Sequence, residues 1–268
     1  MNTAASDQGV KSIIIKSPVE ISYMLEANQI VAEVLFMLQG VVESGISTFE
    51  LDRIAEDLCL KRKAKPAFKG YRGFPCCLCV SVNEEVVHGI PSRKKKLIKG
   101  DIVSVDFGVL FKGYYGDSAI TLPVNGISSD KKKLLEVTEN SLLLAIDKVR
   151  IGNRISDISK VVQEYVEGHG FSVVRQFVGH GIGTSLHEGP EIPNYVQNER
   201  APRIVAGMVL AIEPMVNIGT HKVSVLKDGW TVITADKKCS AHFEHSVAAT
   251  SDGPLVLSSR ENFEVIKK

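Results

Sequence analysis

The stretch that decides the fold, residues 100–123, reads GDIVSVDFGVLFKGYYGDSAITLP. β-branched and aromatic residues alternate with small or polar residues on both sides of the dipeptide Lys112-Gly113. A two-residue turn that ends in glycine, flanked by such alternation, is a strong signal for a β-hairpin. The sequence therefore predicts two long antiparallel strands joined at this turn.

The register of this hairpin follows from its apolar pattern. If Phe111 faces Tyr114, one face is apolar, and Asp106 and Asp117 share the other face. The two acids are then diagonal neighbours, about 7 Å apart at Cα. Gly108 lies opposite Asp117 and is expected to leave open space. A slip of one residue would put the acids on opposite faces, so the pattern favours this register. Two carboxylates on so apolar a hairpin either face water at a sheet edge or need a cation.

Composition limits the classes of protein. The chain has 268 residues, of which 44% are hydrophobic and 24% charged, enough for one large domain or two fused halves. A net charge of +1 gives no reason to expect a nucleic acid or a membrane as partner. The N-terminus lacks the features of a secretory signal, and no apolar run approaches the roughly 20 residues that span a bilayer. We therefore expect a soluble, cytoplasmic protein.

The cysteines argue against a disulfide framework, because their number is odd. Cys76 and Cys79 form a C-x-x-C motif, but no second pair and no closely spaced histidines follow it. A zinc knuckle is therefore the weaker interpretation of this motif. The basic run 93–96 is typical of a solvated turn, and a transient contact with RNA or the ribosome is the alternative.

Apolar spacing predicts four helices and two further short strands. The capping box that begins at Ser47 marks the start of the second helix, and Ser129 caps the third. The predicted helices cover 17–44, 47–62, 130–149 and 157–167, and the short strands lie around 78–82 and 86–87.

An internal repeat relates the two halves of the chain. When the two halves are aligned so that Gly45 matches Gly152, Asp106 matches Glu213. Each half then ends in a strand that carries an acid at the equivalent position. If the halves pack about a pseudo-two-fold axis, Asp106 and Glu213 approach each other and a site lies on the seam.

Two further acids occupy strands that read as buried. Glu213 follows an apolar run, and Glu244 lies in another. A bare carboxylate in such a place costs several kcal/mol. His180 and His187 lie earlier in the chain, between Asp117 and Glu213, in a glycine-rich segment, residues 179–190, whose alternating glycines exclude a regular helix. Four acids and one imidazole exceed the ligands of one tetrahedral zinc and suit two divalent ions about 3.5–4 Å apart that share a hydroxide.

In order along the chain, these residues resemble the metal ligands of the type I methionine aminopeptidase family. The resemblance covers about residues 17–257. The motifs are Val-Asp-Phe-Gly, Gly-Asp-Ser-Ala, Gly-His-Gly-Ile-Gly, Ile-Glu-Pro-Met and Phe-Glu-His-Ser, around Asp106, Asp117, His180, Glu213 and Glu244. The resemblance implies an α+β pita-bread fold, an antiparallel sheet with outer helices and two pseudo-two-fold halves. It divides the chain into a flexible segment, 1–16, and one catalytic domain, 17–268.

The resemblance also implies roles for residues outside the metal set. His88 and His187 would contact substrate as catalytic histidines, and Glu213 would act as general base as well as ligand. The methionine pocket carries over as Tyr71, Phe74, Cys79 and Trp230. The sequence departs from the family at Phe68, where bacterial members often have cysteine, and at Leu186, where an aromatic residue is common.

The implied activity is removal of the initiator methionine from nascent polypeptides when the second residue is small. A hydroxide that bridges two metal ions would attack the first peptide bond. The metals would be Co, Mn, Fe or Zn, since an oxygen-rich site accepts each of them. We expect a monomer. Prolidases and proline-specific aminopeptidases share the ligands but carry a large N-terminal domain, and a non-catalytic binding protein of the same fold is the other alternative.

Overall fold

The computed structural model describes residues 12–197, 200–261 and 263. The helices are α1 (Pro18–Val41), α2 (Thr48–Lys61), α3 (Ser129–Ile146) and α4 (Ile155–Gly168), with a short 3-10 turn at Tyr71–Gly73. The strands are β1 (Lys65–Pro66), β2 (Leu78–Val82), β3 (Glu85–Val87), β4 (Ile102–Phe111), β5 (Tyr114–Pro123), β6 (Ser172–Val173), β7 (Gly179–Gly181), β8 (Glu188–Ile192), β9 (Val209–Ile212), β10 (Met215–Asn217), β11 (Val223–Val225), β12 (Val232–Thr234), β13 (Ser240–His242), β14 (Glu244–Thr250) and β15 (Gly253–Val256).

The hairpin of β4 and β5 has the predicted register. Phe111 pairs with Tyr114, and Gly108 pairs with Asp117. Lys112 and Gly113 both have left-handed backbone angles, with φ of 50° and 84°. This conformation matches the twist of the flanking strands, and glycine adopts it without strain. The turn chemistry thus fixes which residues share a face.

The sheet that carries the site has nine strands, all paired antiparallel. Its main path runs β1-β4-β5-β14-β9-β7-β8, with β2 beside β4 and β15 beside β14. Two smaller sheets of three strands each, β13-β10-β6 and β11-β12-β3, complete the framework. Strand β14 joins the halves, since it pairs with β5 on one side and with β9 on the other. The α+β antiparallel architecture is confirmed.

Helix α1 packs against β4 and β5, and α3 packs against strands of the second half. By length and apolarity α1 could cross a membrane, with a mean hydropathy of 1.3 over its best window. This value is an average over a window, whereas the sequence-based statement concerned uninterrupted apolar runs, and Glu20, Glu26 and Glu33 interrupt the apolar run of this helix. Half of the window is buried inside the protein, as in the core helix of a globular domain.

Hydrogen bonds confirm the internal repeat. When Gly152 is aligned with Gly45, both ends of α4 fall on the corresponding ends of α2. The amide of Gly45 donates to the carbonyl of Leu97 at 2.8 Å, and the amide of Gly152 donates to the carbonyl of Ile204 at 3.0 Å. The alignment that matches the donor Gly45 with Gly152 also matches the acceptor Leu97 with Ile204. The halves therefore repeat their loop contacts as well as their helices, as expected for a pseudo-two-fold arrangement.

The predicted ends of three helices differ from the structure. Helix α1 ends at Val41, because Val42 is already extended. Helix α3 begins one residue early, with Ser128 as its cap, and ends at Ile146, before a turn. Helix α4 begins at Ile155, two residues before the predicted start. Propensity alone does not fix helix ends, since the competing turns are determined by tertiary hydrogen bonds.

Most of the segment predicted to be flexible, residues 1–11, lies outside the described residues. The remaining part contacts the domain: Ile13 forms a β-bridge with Gly189, and the amide of Lys16 donates to the carbonyl of Gly207. The basic run 93–96 has partners of its own, because Lys95 pairs with Glu85 and the Arg93 guanidinium lies over an aromatic ring.

Candidate active site

The metal-ligand candidates project from neighbouring strands across the seam between the halves. Asp106 and Glu244 are both aligned with Ala119, one on each side of β5. Asp117 lies two residues before Ala119 on the same strand. Neighbouring strands lie about 4.8 Å apart, so this alignment places the three acids within one cluster. The hairpin and β14 thus assemble acids from distant parts of the sequence.

The second half of the chain completes the cluster. His180 on β7 pairs with Ala211 of β9, and Glu213 directly follows β9. The distance from His180 Nε2 to Glu213 Oε1 is 3.6 Å. One ligand atom each from Asp117, His180 and Glu244 lies within 4.8 Å of the others. Glu213 and Asp106 line the same cavity, so the structure brings all of the candidates together.

Several carboxylate oxygens of this cluster lack a hydrogen-bond partner within the described chain. They are Asp106 Oδ1, Asp117 Oδ1 and Glu244 Oε1, each inaccessible to solvent. A buried acceptor without a donor carries a desolvation penalty of about 1–3 kcal/mol, more when it is charged. Divalent cations remove this penalty by coordinating the oxygens. The donor set, with its unpartnered oxygens converging on one cavity, therefore fits bound metal ions.

The metal-free electrostatics lead to the same conclusion. Burial raises the pKa of Asp106 to about 7, although a hydrogen bond with Asp117 opposes the shift. The pKa of Asp117 is raised well above its usual value by burial and by the charges of Glu244 and Asp106. Burial and neighbouring acids also raise the pKa values of Glu213 and Glu244. Without a cation, the cluster therefore disfavours full ionisation at neutral pH.

The glycine-rich segment orients His180. Its Nδ1 lies 2.9 Å from the carbonyl oxygen of Gly181. Because a carbonyl only accepts, Nδ1 carries the proton, and Nε2 keeps its lone pair for the cluster. The close packing inferred from the alternating glycines is present, since a Cβ on Gly181 would overlap the backbone of Gly189.

An apolar pocket adjoins the acids in a cavity of about 170 Å³. The predicted pocket residues Tyr71, Phe74, Cys79 and Trp230 all line it. The rings of Phe74 and Trp230 meet edge to face with centroids 5.2 Å apart. Burial and nearby acids raise the pKa of the Cys79 thiol, so it remains neutral and packs as an apolar group.

Both predicted catalytic histidines also line this cavity. The hydroxyl of Tyr71 hydrogen-bonds Nδ1 of His187 at 2.8 Å, and the ring of His187 lies 4.2 Å from that of His180 between centroids. The ring of His88 packs against Trp230 and Phe177. Burial lowers the pKa of His88 to about 4, so this imidazole is neutral at pH 7.

The expectation that Gly108 leaves open space opposite Asp117 is wrong. A Cβ on Gly108 would lie 2.8 Å from a ring carbon of Phe68. Phe68 and Leu186, the departures from the family pattern, both line the cavity. The small residue on β4 therefore makes room for the Phe68 ring.

The sequence-based site lacked His242. This side chain is 2% exposed, and its Nε2 lies 3.7 Å from Glu213 Oε2 without a hydrogen-bond partner in the described residues. The sequence did carry a signal, because alternation along an extended segment would place the side chains of residues 242 and 244 on the same side. The zinc knuckle gains no support, since every cysteine is free and, in the part of the chain that the structure describes, the metal-ligand group contains none.

The comparison with known families matches residues 22–251 to the profile of "Metallopeptidase family M24". The chain belongs to this family. A methionine aminopeptidase of Clostridium acetobutylicum is 50% identical over 246 residues, covering 92% of this chain and 98% of the relative. Methionine aminopeptidase 1 of Bacillus subtilis is 54% identical over 246 residues, covering 92% and 99%. The resemblance inferred from the motifs is confirmed.

Solved structures agree with this assignment. The methionine aminopeptidase of Thermotoga maritima superposes with a TM-score of 0.91 at 44% identity, over 92% of this chain and 100% of that one. A prolidase of Pyrococcus horikoshii gives a TM-score of 0.76 at 22% identity and is covered over 64% of its length. The prolidase likeness shows the shared pita-bread fold alone. The chain is thus an M24 metallopeptidase whose most extensive similarity among these proteins is to methionine aminopeptidases.

Metal removal should make the stability of this protein strongly pH-dependent. The folded state without metal keeps Asp106 protonated up to about 7, whereas the unfolded chain loses that proton near 3.8. The folded state then binds more protons, so the unfolding free energy falls as pH rises through this window. Calorimetry of the chelated protein should show a lower melting temperature at about pH 7.5 than at about pH 5.5, with Mn²⁺ giving the larger gain at the higher pH.

Asp106→Asn serves as the matched control, because it removes one charge and one ligand at nearly constant shape. The variant should show a smaller pH dependence without metal and a smaller gain with metal. Identical melting temperatures for chelated and Mn²⁺-loaded protein at both pH values would contradict this interpretation.

Proposed function

We propose that this protein removes the N-terminal methionine from polypeptides whose second residue is small. The observation that carries the proposal is the contact between a cluster of buried acids and a pocket closed by Phe74, Trp230 and the neutral Cys79. The relatives named methionine aminopeptidases support the same reading. An acid cluster beside an apolar, sulfur- and aromatic-lined pocket suits hydrolysis next to a thioether side chain.

The cluster would hold two divalent ions. Asp117 and Glu244 would be shared between them, Asp106 would complete one site, and His180 with Glu213 would complete the other. When bound, the ions would polarise the scissile carbonyl and supply the hydrolytic nucleophile at neutral pH. Co, Mn, Fe and Zn all suit this oxygen-rich set, and availability decides among them.

Glu213 acts as the general base. It borders the cavity beside His180, next to the place where the ions would supply the hydrolytic nucleophile. The carboxylate takes a proton from the attacking water and delivers it to the leaving amine. The substrate's free amine lies at the Asp106 end of the cluster.

The two cavity histidines hold the peptide. His187, whose Nδ1 is fixed by Tyr71, turns its Nε2 edge to the oxygen of the scissile carbonyl and donates to the developing oxyanion. His88 is neutral at pH 7 and holds the scissile amide by a hydrogen bond. His88 therefore needs no change of charge before the reaction.

The substrate is the N-terminus of a nascent polypeptide, so we expect the protein to act in the cytoplasm as a monomer. A transient ribosome contact remains a further proposal for the basic run 93–96, although two of its side chains are already engaged within the protein. No contact with a specific nucleic acid or a membrane is required for this function.

The main alternative is a proline-directed peptidase of the same fold. The prolidase from Pyrococcus horikoshii shares the architecture, but it is 22% identical to this chain, whereas the methionine aminopeptidase of Thermotoga maritima is 44% identical. The chain spans only 64% of that prolidase. A pocket for the first residue, closed by aromatic rings, favours the methionine reading. Turnover of a Met-Ala-Ser peptide against an Ala-Pro dipeptide separates the two activities.

Substrate specificity tests the pocket. The Mn²⁺-loaded protein should cleave Met-Ala-Ser at least about 100-fold better in kcat/KM than Lys-Ala-Ser, because an apolar pocket leaves an ammonium group unpaired. Met-Lys-Ser should also be poor, because the likeness to methionine aminopeptidases implies that only a small second residue is accepted. Equal turnover of the methionine and lysine peptides would refute the pocket assignment, and preference for the proline dipeptide would refute the function.

Replacement of His187 tests its catalytic role. His187→Ala should lower kcat by about 10²–10³ with little change in KM, because the lost hydrogen bond is strongest in the transition state. His169→Ala is the matched control, since that histidine is exposed outside the cavity. A raised KM with nearly unchanged kcat would mean that His187 only shapes the pocket. Steady-state kinetics on Met-Ala-Ser at saturating metal distinguishes the outcomes.

A further inference from the structure

An N-terminal arm, residues 13–17, lies against the glycine-rich segment 179–190, which carries His180 and His187. Ile13 bridges to Gly189, and the amide of Lys16 donates to the carbonyl of Gly207 at 2.8 Å. The arm thus joins the glycine-rich segment to the loop before β9. It contributes no residue to the cavity lining, so the proposed catalytic roles do not explain its position.

The arm inserts a lysine into the protein interior. Lys16 Nζ lies 2.5 Å from Glu188 Oε2, and the two side chains are only 2% and 3% exposed. The same ammonium donates to the carbonyl of Ile14 at 3.0 Å. In the other lysine and arginine ion pairs of the described residues, the basic side chain is at least 39% exposed. This pair is therefore unlike the surface pairs of the molecule.

The partner of Lys16 directly follows His187 in the chain. The other carboxylate oxygen of Glu188, Oε1, accepts from the amide of Ser185 at 3.1 Å and from the hydroxyl of Thr184 at 3.4 Å. These bonds close the turn that contains His187. Lys16 binds Oε2 of Glu188 and neutralises the carboxylate. Glu188, at the end of the turn, is thus held by Lys16 and by the residues at the start of the turn.

The lysine stem packs closely against this turn. A Cβ on Gly183 would lie 2.5 Å from Lys16 Cε and 2.7 Å from Glu188 Oε1. The carbonyl of Gly183 in turn accepts from the amide of Tyr115 on the hairpin. The lysine stem therefore fills the space beside the turn, and a side chain at position 183 would displace Lys16 or Glu188.

We propose that Lys16 is a positioning residue for His187 and acts through the buried ion pair with Glu188. A buried ion pair is weak evidence for stability, but a charge held in one geometry can define the position of its neighbours. Tyr71 fixes the His187 ring from the pocket side, and the Lys16–Glu188 pair fixes its backbone from the other side. The N-terminal arm is accordingly part of the catalytic apparatus without touching substrate.

The kinetic test is the Lys16→Met variant, which keeps the length of the stem and removes the charge. Its kcat on Met-Ala-Ser should fall about 10- to 100-fold, with KM changed by no more than about twofold, because a small displacement of a catalytic group mainly affects the transition state. Lys112→Met, which removes an exposed ion pair with Glu26 on the hairpin tip, is the matched control. It should retain the wild-type kcat.

A double-mutant cycle identifies the residue through which Lys16 acts. In a His187→Ala background, Lys16→Met should lower kcat no further, because the group that it positions is already absent. The same fold-loss in both backgrounds would overturn the proposal, since it would mean that Lys16 supports the whole site rather than His187.

Loss of one charge can unfold a protein, because the partner charge remains buried and unpaired. The double variant Lys16→Met, Glu188→Leu removes both charges and should melt within a few degrees of wild type. Its kcat should still be reduced, because the Ser185 amide has lost its acceptor. A wild-type kcat in this variant would overturn the proposal.

The kcat measurements on the Lys16 variants rest on the proposed aminopeptidase function, whereas a hydrogen-exchange measurement does not. In both Lys16 variants the amide of Ser185 should exchange faster than in wild type, and in Lys112→Met it should not. If wild type failed to cleave Met-Ala-Ser, the proposed function would fall, and exchange would still decide whether the pair holds the turn. Unchanged Ser185 exchange in both Lys16 variants would overturn the positioning role.

Discussion

The burial of several carboxylates in one small volume is the constraint on which the rest of this structure depends. Within the described residues, Asp117 and Glu244 have buried oxygens without a hydrogen-bond partner, and burial together with the charge of Glu244 raises the pKa of Asp117. Such a cluster persists only when the surrounding fold holds it together and a cation compensates the charge. The hairpin, β14 and β9 supply that framework, because each strand contributes an acid or lies between two that do.

The internal repeat explains how one chain builds this framework. Each half places a helix pair and a glycine loop before a strand that has an acid within it or directly after it, and the glycine between the paired helices donates an equivalent hydrogen bond in both halves. Pairing of β14 with both β5 and β9 then brings the halves into one sheet. The roles proposed for His180, His187 and the N-terminal arm would make the site chemically asymmetric.

The sequence predicted those features that depend on local periodicity. The hairpin register followed from alternation around Lys112-Gly113, and the seam followed from the repeat. Features that depend on tertiary packing were not accessible: Phe68 fills the space opposite Asp117, and Lys16 meets Glu188 across 172 residues of chain. Nothing in the pattern of either segment indicates its partner. Helix ends also differed, because the turns that stop them are fixed by contacts elsewhere in the fold.

The most direct test of the account is anomalous scattering from crystals grown with Mn²⁺. We expect two metal peaks about 3.5–4 Å apart, both contacted by Asp117 and Glu244. One peak should also contact Asp106, and the other should contact His180 and Glu213. The absence of any metal peak among these side chains, in protein that cleaves Met-Ala-Ser under the same conditions, would contradict it.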